Sequence, residues 1–399
     1  MTPARPPGNE AASRRLSAAL FAGGIATFAE LYAVQAVLPA LAHEWGLTES
    51  TATLAVSVAT GALALSVLPW AAVADRIGRA RAMTISAVVA AFAGALLPLA
   101  PSFAVLLAVR GVSGLALGAL PALAMAHLVT TAPAGRASAV GGLYIAGTTI
   151  GGLSGRVLTG AVSAIAGWRW GVATTAVLVA VAVAVFVGLL PPGADAQPGP
   201  ARPARPRRGQ RDRITLALAD RTVRVFYAQA FLLMGAFVTI YNLLGFRLLD
   251  DPYRLPASVV SLLFLTYLVG TVGSSGVGRL VGRFGRRRIL AGAGYGMAVG
   301  AGLTLAEPLG LVLAGLVVAT FCFFVAHAIA ATWAGERVPA ARSQASALYS
   351  LAYYAGSSIL GFVGALIYDG AGWTGAMIMV IGCVGTAATL AVLRAPRMA

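Results

Sequence analysis

The chain has 399 residues, of which 59% are hydrophobic and only 11% charged. Soluble domains are nearer half apolar and a quarter charged, so this composition suits a chain whose main solvent is lipid and argues against an ordinary soluble protein. The net charge of +16 comes entirely from arginine. Those arginines fall in short runs between apolar stretches, not on one face interleaved with aromatics, and this argues against a nucleic-acid partner.

A polar, Pro-rich tail spans 1–15. Arg14 and Arg15 precede an apolar run, but no small-residue cleavage site closes a short apolar core, so the first stretch reads as a retained anchor. Twelve apolar stretches follow, at 16–41, 53–73, 82–99, 103–129, 137–158, 167–190, 223–244, 256–277, 289–306, 309–331, 344–367 and 373–393. Each can cross about 30 Å of hydrocarbon. Helices are the expected form, since a helix satisfies its own backbone in lipid, whereas barrel strands are about half as long and alternate apolar with polar. The fold expected is an all-α polytopic membrane protein with twelve transmembrane helices. They form one six-helix bundle over 16–190 and another over 222–393, with a short tail at 394–399. The segment 191–221 is rich in Pro, Gly and Arg and reads as a flexible basic linker.

Arginine placement sets the orientation. One set of loops holds Arg5, Arg14 and Arg15; Arg76, Arg79 and Arg81; Arg136; the linker; Arg279, Arg283, Arg286, Arg287 and Arg288; Arg337 and Arg342; and Arg394 and Arg397. The alternate set holds Arg169, Arg247 and Arg254. The positive-inside rule then puts both termini and the linker in the cytoplasm of a multi-pass inner-membrane protein. Cys322 and Cys383 lie within apolar stretches and read as small buried hydrophobes, which leaves no disulfide framework and no metal set.

The halves repeat. Ala74-Asp75-Arg76-Ile77-Gly78-Arg79 after the second stretch matches Val281-Gly282-Arg283-Phe284-Gly285-Arg286 after the eighth, at an offset of 283 − 76 = 207. Gly147-Thr148-Thr149-Ile150 matches Gly356-Ser357-Ser358-Ile359 at 356 − 147 = 209. A parallel six-plus-six repeat is the plan of transporters whose halves rock about a site near the midplane.

These motifs carry a family resemblance over the whole length. The loop from Ala71 to Arg81 resembles the G-x-L-x-D-R-x-G-R-R pattern of the major facilitator superfamily, with Ala71 in place of the first Gly. The second copy, Gly278 to Arg287, keeps that Gly and lacks the Asp. Among subfamilies the chain is most similar to the drug:proton antiporters. The resemblance implies that Asp75 faces the N-terminus of the eleventh helix, where a dipole favours an anion. It makes Asp75, Arg76, Gly78, Arg79, Arg283, Gly285 and Arg286 a conformational gate. A solvated turn with topogenic arginines is the plainer reading.

Arg110-Gly111-Val112-Ser113-Gly114 in the fourth stretch resembles the family's R-x-x-Q-G, with Ser113 replacing Gln. An arginine inside a span wants a partner. Glu30 is the natural one: at about 1.5 Å per residue, its depth from the start of the first stretch matches that of Arg110 in the antiparallel fourth. The pair is expected to carry proton coupling, because burial disfavours the ionised acid and a nearby cation favours it. Gly147, Gly151, Gly152 and Gly155 partly resemble the antiporter signature G-x-x-x-G-P-x-x-G-G without its Pro, and generic close packing fits them equally well.

Weaker candidates complete the set. Tyr32, Tyr267, Tyr353 and Tyr354 could line a cavity or simply pack between helices. Arg156 is expected to snorkel outward. Trp168 and Trp373 read as interfacial anchors. His127 and His327 read as interfacial structure more readily than as a proton relay.

The function expected is proton-coupled, alternating-access efflux of small amphipathic or drug-like compounds. Uptake of a sugar or another polar nutrient is the rival within transport, and a transporter-like receptor or scaffold is the remote one. The partners implied are a small molecule, protons and the bilayer. No cofactor, metal, nucleotide or nucleic acid is implied, and a monomer should suffice. Neither a P-loop nor a hydrolytic cluster stands in the sequence, so an enzyme is not expected.

Overall fold

In the computed structural model, residues 7–132, 137–191 and 210–395 are described. Arg5, Arg136, Arg397 and most of the linker, 192–209, lie outside them. The helices in chain order are α1 (Pro7–Tyr32), α2 (Leu38–Trp45), α3 (Glu49–Ile77), α4 (Arg79–Leu96), α5 (Phe103–Leu117), α6 (Ala119–Thr131), α7 (Ala137–Ala166), α8 (Trp168–Leu189), α9 (Gln210–Ala219), α10 (Arg221–Leu249), α11 (Ala257–Leu262), α12 (Tyr267–Phe284), α13 (Arg286–Leu303), α14 (Leu309–Arg337) and α15 (Arg342–Arg394). No strand occurs among the described residues.

Nine stretches of the described residues are long and apolar enough to cross a membrane. The expected twelve are reached as follows. α15 merges two spans across a kink at Gly372 (φ 62°). α7 is diluted by Gly, Thr and Arg156. α13 opens on Arg286, Arg287 and Arg288, which mask its apolar remainder. The protein is an all-helical, twelve-span membrane protein in two six-helix halves. Some spans are composite: a 3-10 turn (Ala33–Val37) joins α1 to α2, and another (Leu263–Thr266) joins α11 to α12.

The repeat is legible in backbone angles. Gly78, between α3 and α4, has φ 87° and ψ 148°; Gly285, between α12 and α13, has φ 81° and ψ 147°. Side chains other than hydrogen rarely tolerate that region, which is why the motif places Gly at both positions 207 apart.

By contact the chain divides into unit 1 (Met1–Ala33, Leu65–Arg207) and unit 2 (Val34–Ala64, Arg208–Ala399). The division departs from the expected boundaries, because 34–64 packs with the second set of helices. Within unit 2, Gln35 Nε2 donates to Asn242 Oδ1 at 2.6 Å, Ser358 Oγ donates to the Ser57 carbonyl at 2.7 Å, and the Ser50 amide donates to Asp369 Oδ1 at 3.1 Å.

Small residues set the closest approaches. In unit 1, a Cβ on Gly147 or Gly151 would fall 2.3 or 2.4 Å from the Phe21 or Ile25 carbonyl oxygen, and one on Gly155 would fall 2.7 Å from Ala29. Four-residue spacing thus lays α7 directly on the backbone of α1. Unit 2 repeats the device where α15 meets α10, with Gly356 against the Phe231 carbonyl.

The linker expectation needs one correction. Its residues Gln210–Ala219 form α9, not flexible coil, and Ala217 packs in a cluster with Val223, Val338, Ala341 and Ala345. Asp220 then caps α10 by accepting from the Thr222 and Val223 amides, and pairs with Arg337 at 3.2 Å.

Candidate functional site

The site in unit 1 begins with the end of a helix. α1 stops at Tyr32 and continues as a 3-10 turn, which strands carbonyls that an unbroken helix would have paired. Arg110 of α5 satisfies them: Nη1 donates to the Glu30 carbonyl at 3.0 Å and Nη2 to the Leu31 carbonyl at 2.5 Å. A cation is also favoured at a helix C-terminus. Arg110 Nη1 lies 3.8 Å from Glu30 Oε1, and Ser113, one turn further along α5, donates to that same oxygen at 2.9 Å. Arg110 is 0% exposed and Glu30 3%.

The other carboxylate oxygen rests on Gly94 of α4. A Cβ there would fall 2.1 Å from Glu30 Oε2. Gly94 is therefore the floor of the site, and nothing in the sequence pointed to it. Glu30 and Arg110 are brought together as the depth argument requires. Ser113 supplies a hydroxyl donor to the carboxylate at the position where the family pattern carries Gln.

Arg156 overturns its expectation. It is 2% exposed and does not snorkel. The helix α7 runs well past the expected end at 158, so Arg156 lies within it and not at its end. Its Nη1 donates to the Gly152 carbonyl at 2.6 Å, and its guanidinium lies 4.3 Å above the Tyr32 ring. Gly152 differs from Gly147, Gly151 and Gly155 in facing this guanidinium instead of the α1 backbone.

The other candidates separate. Tyr32, Tyr267 and Tyr354 are buried within their own units, while Tyr353 is half-buried. Trp168 and Trp373 are buried too, so neither is an exposed anchor. Each lies under an arginine, Arg169 at 4.4 Å and Arg247 at 5.0 Å, and Trp373 also donates to the Thr304 carbonyl at 3.0 Å. His127 is buried, whereas His327 is half-buried with Nδ1 3.0 Å from the Tyr349 hydroxyl.

In the gate motif, Asp75 and Arg76 are exposed on the last turn of α3, and Arg79 opens α4. In the second copy, Arg283 lies over the Phe284 ring, and Arg286 pairs with Glu336 at the end of α14. That acid was not singled out in the sequence.

At the repeat offset the chemistry of unit 1 disappears. For α10 the glycine contacts give the register, Gly147 on Phe21 matching Gly356 on Phe231 (231 − 21 = 210), so Glu30 corresponds to Ile240 (240 − 30 = 210); Gly94, in the helix after the repeated loop, corresponds to Ala301 (301 − 94 = 207). Phe237 stacks flat on Phe323, with centroids 3.9 Å apart. One half thus encloses an acid–guanidinium pair and the other a ring stack.

Comparison with known proteins agrees with this architecture. Residues 20–359 match the family described as Major Facilitator Superfamily. The chain is 35% identical over 378 residues to the inner membrane transport protein YnfM of Escherichia coli (strain K12), covering 93% of this chain and 90% of that one. It is 34% identical over 371 residues to the uncharacterized MFS-type transporter YybF of Bacillus subtilis (strain 168), covering 92% and 90%. Among solved structures, a D-xylose-proton symporter aligns with a TM-score of 0.76 at 15% identity, covering 96% of this chain and 98% of that one. A bacterial homologue of the lysosomal transporter Spinster aligns at 0.73 and 15%, covering 98% and 96%. At such identities the structural matches speak to fold. The sequence relatives are transporters, not enzymes.

Proposed function

The chain belongs to the major facilitator superfamily, and from that premise we propose that it exports a small amphipathic compound in exchange for protons, with Glu30 as the proton-carrying group. The observation that carries this reading is the enclosure of Glu30 by Arg110, Ser113 and Gly94. An intramembrane acid is functional by default, and Glu30 is the acid set deepest within a span. Desolvation favours its protonated form and Arg110 its ionised form. A cycle that loosens α5 from the end of α1 changes that balance, and so loads or releases a proton. The export direction rests on the partial antiporter-like motif of α7 and is the narrower part of the proposal.

The arginine bias supports cytoplasmic termini, with the loops of Asp75 and Gly285 on the same side. Reporters fused at 193 and at 254 should then read opposite sides, and equal sidedness would refute this topology. Asp75 and the motif arginines act as the gate on that side. Transport by a single copy follows from the self-contained pair of halves.

The test uses the full chain reconstituted in liposomes under an imposed pH gradient, with ethidium as probe. Wild type should move the dye against its gradient. Glu30→Gln should lose that uphill movement while still equilibrating dye downhill. Uphill transport at the native level by Glu30→Gln would remove the proton role from this residue.

A further inference from the structure

Unit 2 gathers its rings where three helices meet. Phe237 of α10 stacks on Phe323 of α14. His327, one turn along α14, lies nearly parallel to Phe323 (5.8 Å, 10°) and 4.7 Å from the Tyr353 ring of α15. Tyr349, one turn before Tyr353, holds His327 Nδ1 with its hydroxyl. Phe237, Phe323 and Tyr349 are buried, while His327 and Tyr353 are half-buried. The stack therefore runs from a closed interior to a partly open surface.

That surface does not suit lipid. His327 stands four residues inside the end of the apolar stretch 309–331, about 6 Å within the span. An ionisable side chain within a span faces a bundle interior or an aqueous cavity. The Tyr349 bond fixes the imidazole plane and leaves Nε2 as the nitrogen open to a partner. A half-open tyrosine ring beside a fixed imidazole offers one flat face and one directional polar atom.

We propose that His327 and Tyr353 recognise the transported compound, and that its class is a flat aromatic molecule bearing a hydroxyl or similar hydrogen-bonding group, with its ring on Tyr353 and its polar group on His327 Nε2. The inference rests on the reading of the chain as a transporter of small amphipathic compounds, and narrows it. The buried rings behind act as positioning residues, because Phe323 and Tyr349 set the plane of His327.

The test is equilibrium binding to the purified full-length protein in lipid nanodiscs. The probes are 2-naphthol, its saturated counterpart decahydro-2-naphthol, and naphthalene. Wild type should bind 2-naphthol about three- to tenfold more tightly than the saturated alcohol, the gain expected of an aromatic pair. Tyr353→Leu should erase that preference and Tyr353→Phe should keep it. His327→Phe should erase the preference for 2-naphthol over naphthalene while keeping the aromatic one. The proposal is overturned by an equal response of wild type to both alcohols, by no binding of either at millimolar concentration, or by an unchanged preference in Tyr353→Leu. In Glu30→Gln the readout is the order of preference among the three probes, which should match wild type, and not the absolute affinity. Intact binding preferences beside normal uphill transport in Glu30→Gln would therefore defeat the proton reading and leave this one standing.

Discussion

The two halves share one backbone plan and differ in what they bury. Around α1, unit 1 encloses Glu30, Arg110 and Arg156, with Gly94 making room for the carboxylate. Around α10, unit 2 encloses Phe237, Phe323 and Tyr241, and Tyr241 spends its hydroxyl on Thr266 and Thr320 at 2.6 and 2.7 Å. The loops at Gly78 and Gly285 and the glycine contacts of α7 and α15 stay alike. The difference teaches that the repeat preserves positions where backbones turn or touch, and frees the side chains between them. On the reading above, one half handles the proton and the other the substrate.

The comparison breaks hardest at Arg110. Removing one partner of a buried ion pair leaves an uncompensated charge, at a cost of about 3–5 kcal/mol. Arg110 also closes the carbonyls of Glu30 and Leu31, so Arg110→Ala should cut both thermal stability and transport severely. Adding Glu30→Gln should recover part of the stability and none of the uphill transport. A double variant no more stable than Arg110→Ala alone would show that the carbonyl contacts, not the ion pair, hold Arg110 in place. Val317→Ala, at a half-buried position of α14 in unit 2, should cost far less, about 1 kcal/mol or below.

Gly94 sharpens the same contrast at intermediate cost. A methyl group at Gly94 cannot coexist with Glu30 Oε2 in its present place. Gly94→Ala should therefore displace the carboxylate and shift the pH dependence of transport, with a stability loss of about 1–3 kcal/mol from overpacking. A pH profile identical to wild type would mean the carboxylate position does not matter. Ala301 already carries that methyl at the matching position, where no carboxylate needs the space.

The smallest effect is expected at Asp75, in the proposed gate. Asp75 is exposed, so Asp75→Asn should leave thermal stability within about 0.5 kcal/mol. It should nonetheless slow transport, measured as initial rate in liposomes, if the acid stabilises one state of the cycle. An unchanged rate would return Asp75 to the role of a solvated turn residue.

The amino-acid sequence alone determined the class and plan of this protein. Spans of about 20 apolar residues admit only helices in lipid. Arginine bias and the 207-residue offset are one-dimensional signals, and so is the depth match of Glu30 with Arg110. Tertiary structure decided what depends on which face of a helix meets which neighbour. Arg156 is buried, not snorkelling, because α1 brings the Tyr32 ring under its guanidinium, a contact no one-dimensional signal marks. Gly94 is one glycine among 48, and becomes part of a site only because Glu30 is folded onto it. The expected cavity tyrosines divided, with Tyr353 left half-open and the others packed. Composition and period tell a chain how to sit in the membrane, whereas burial of a single side chain is settled by the rotation of helices about their axes, which lipid-facing and protein-facing apolar residues leave unmarked.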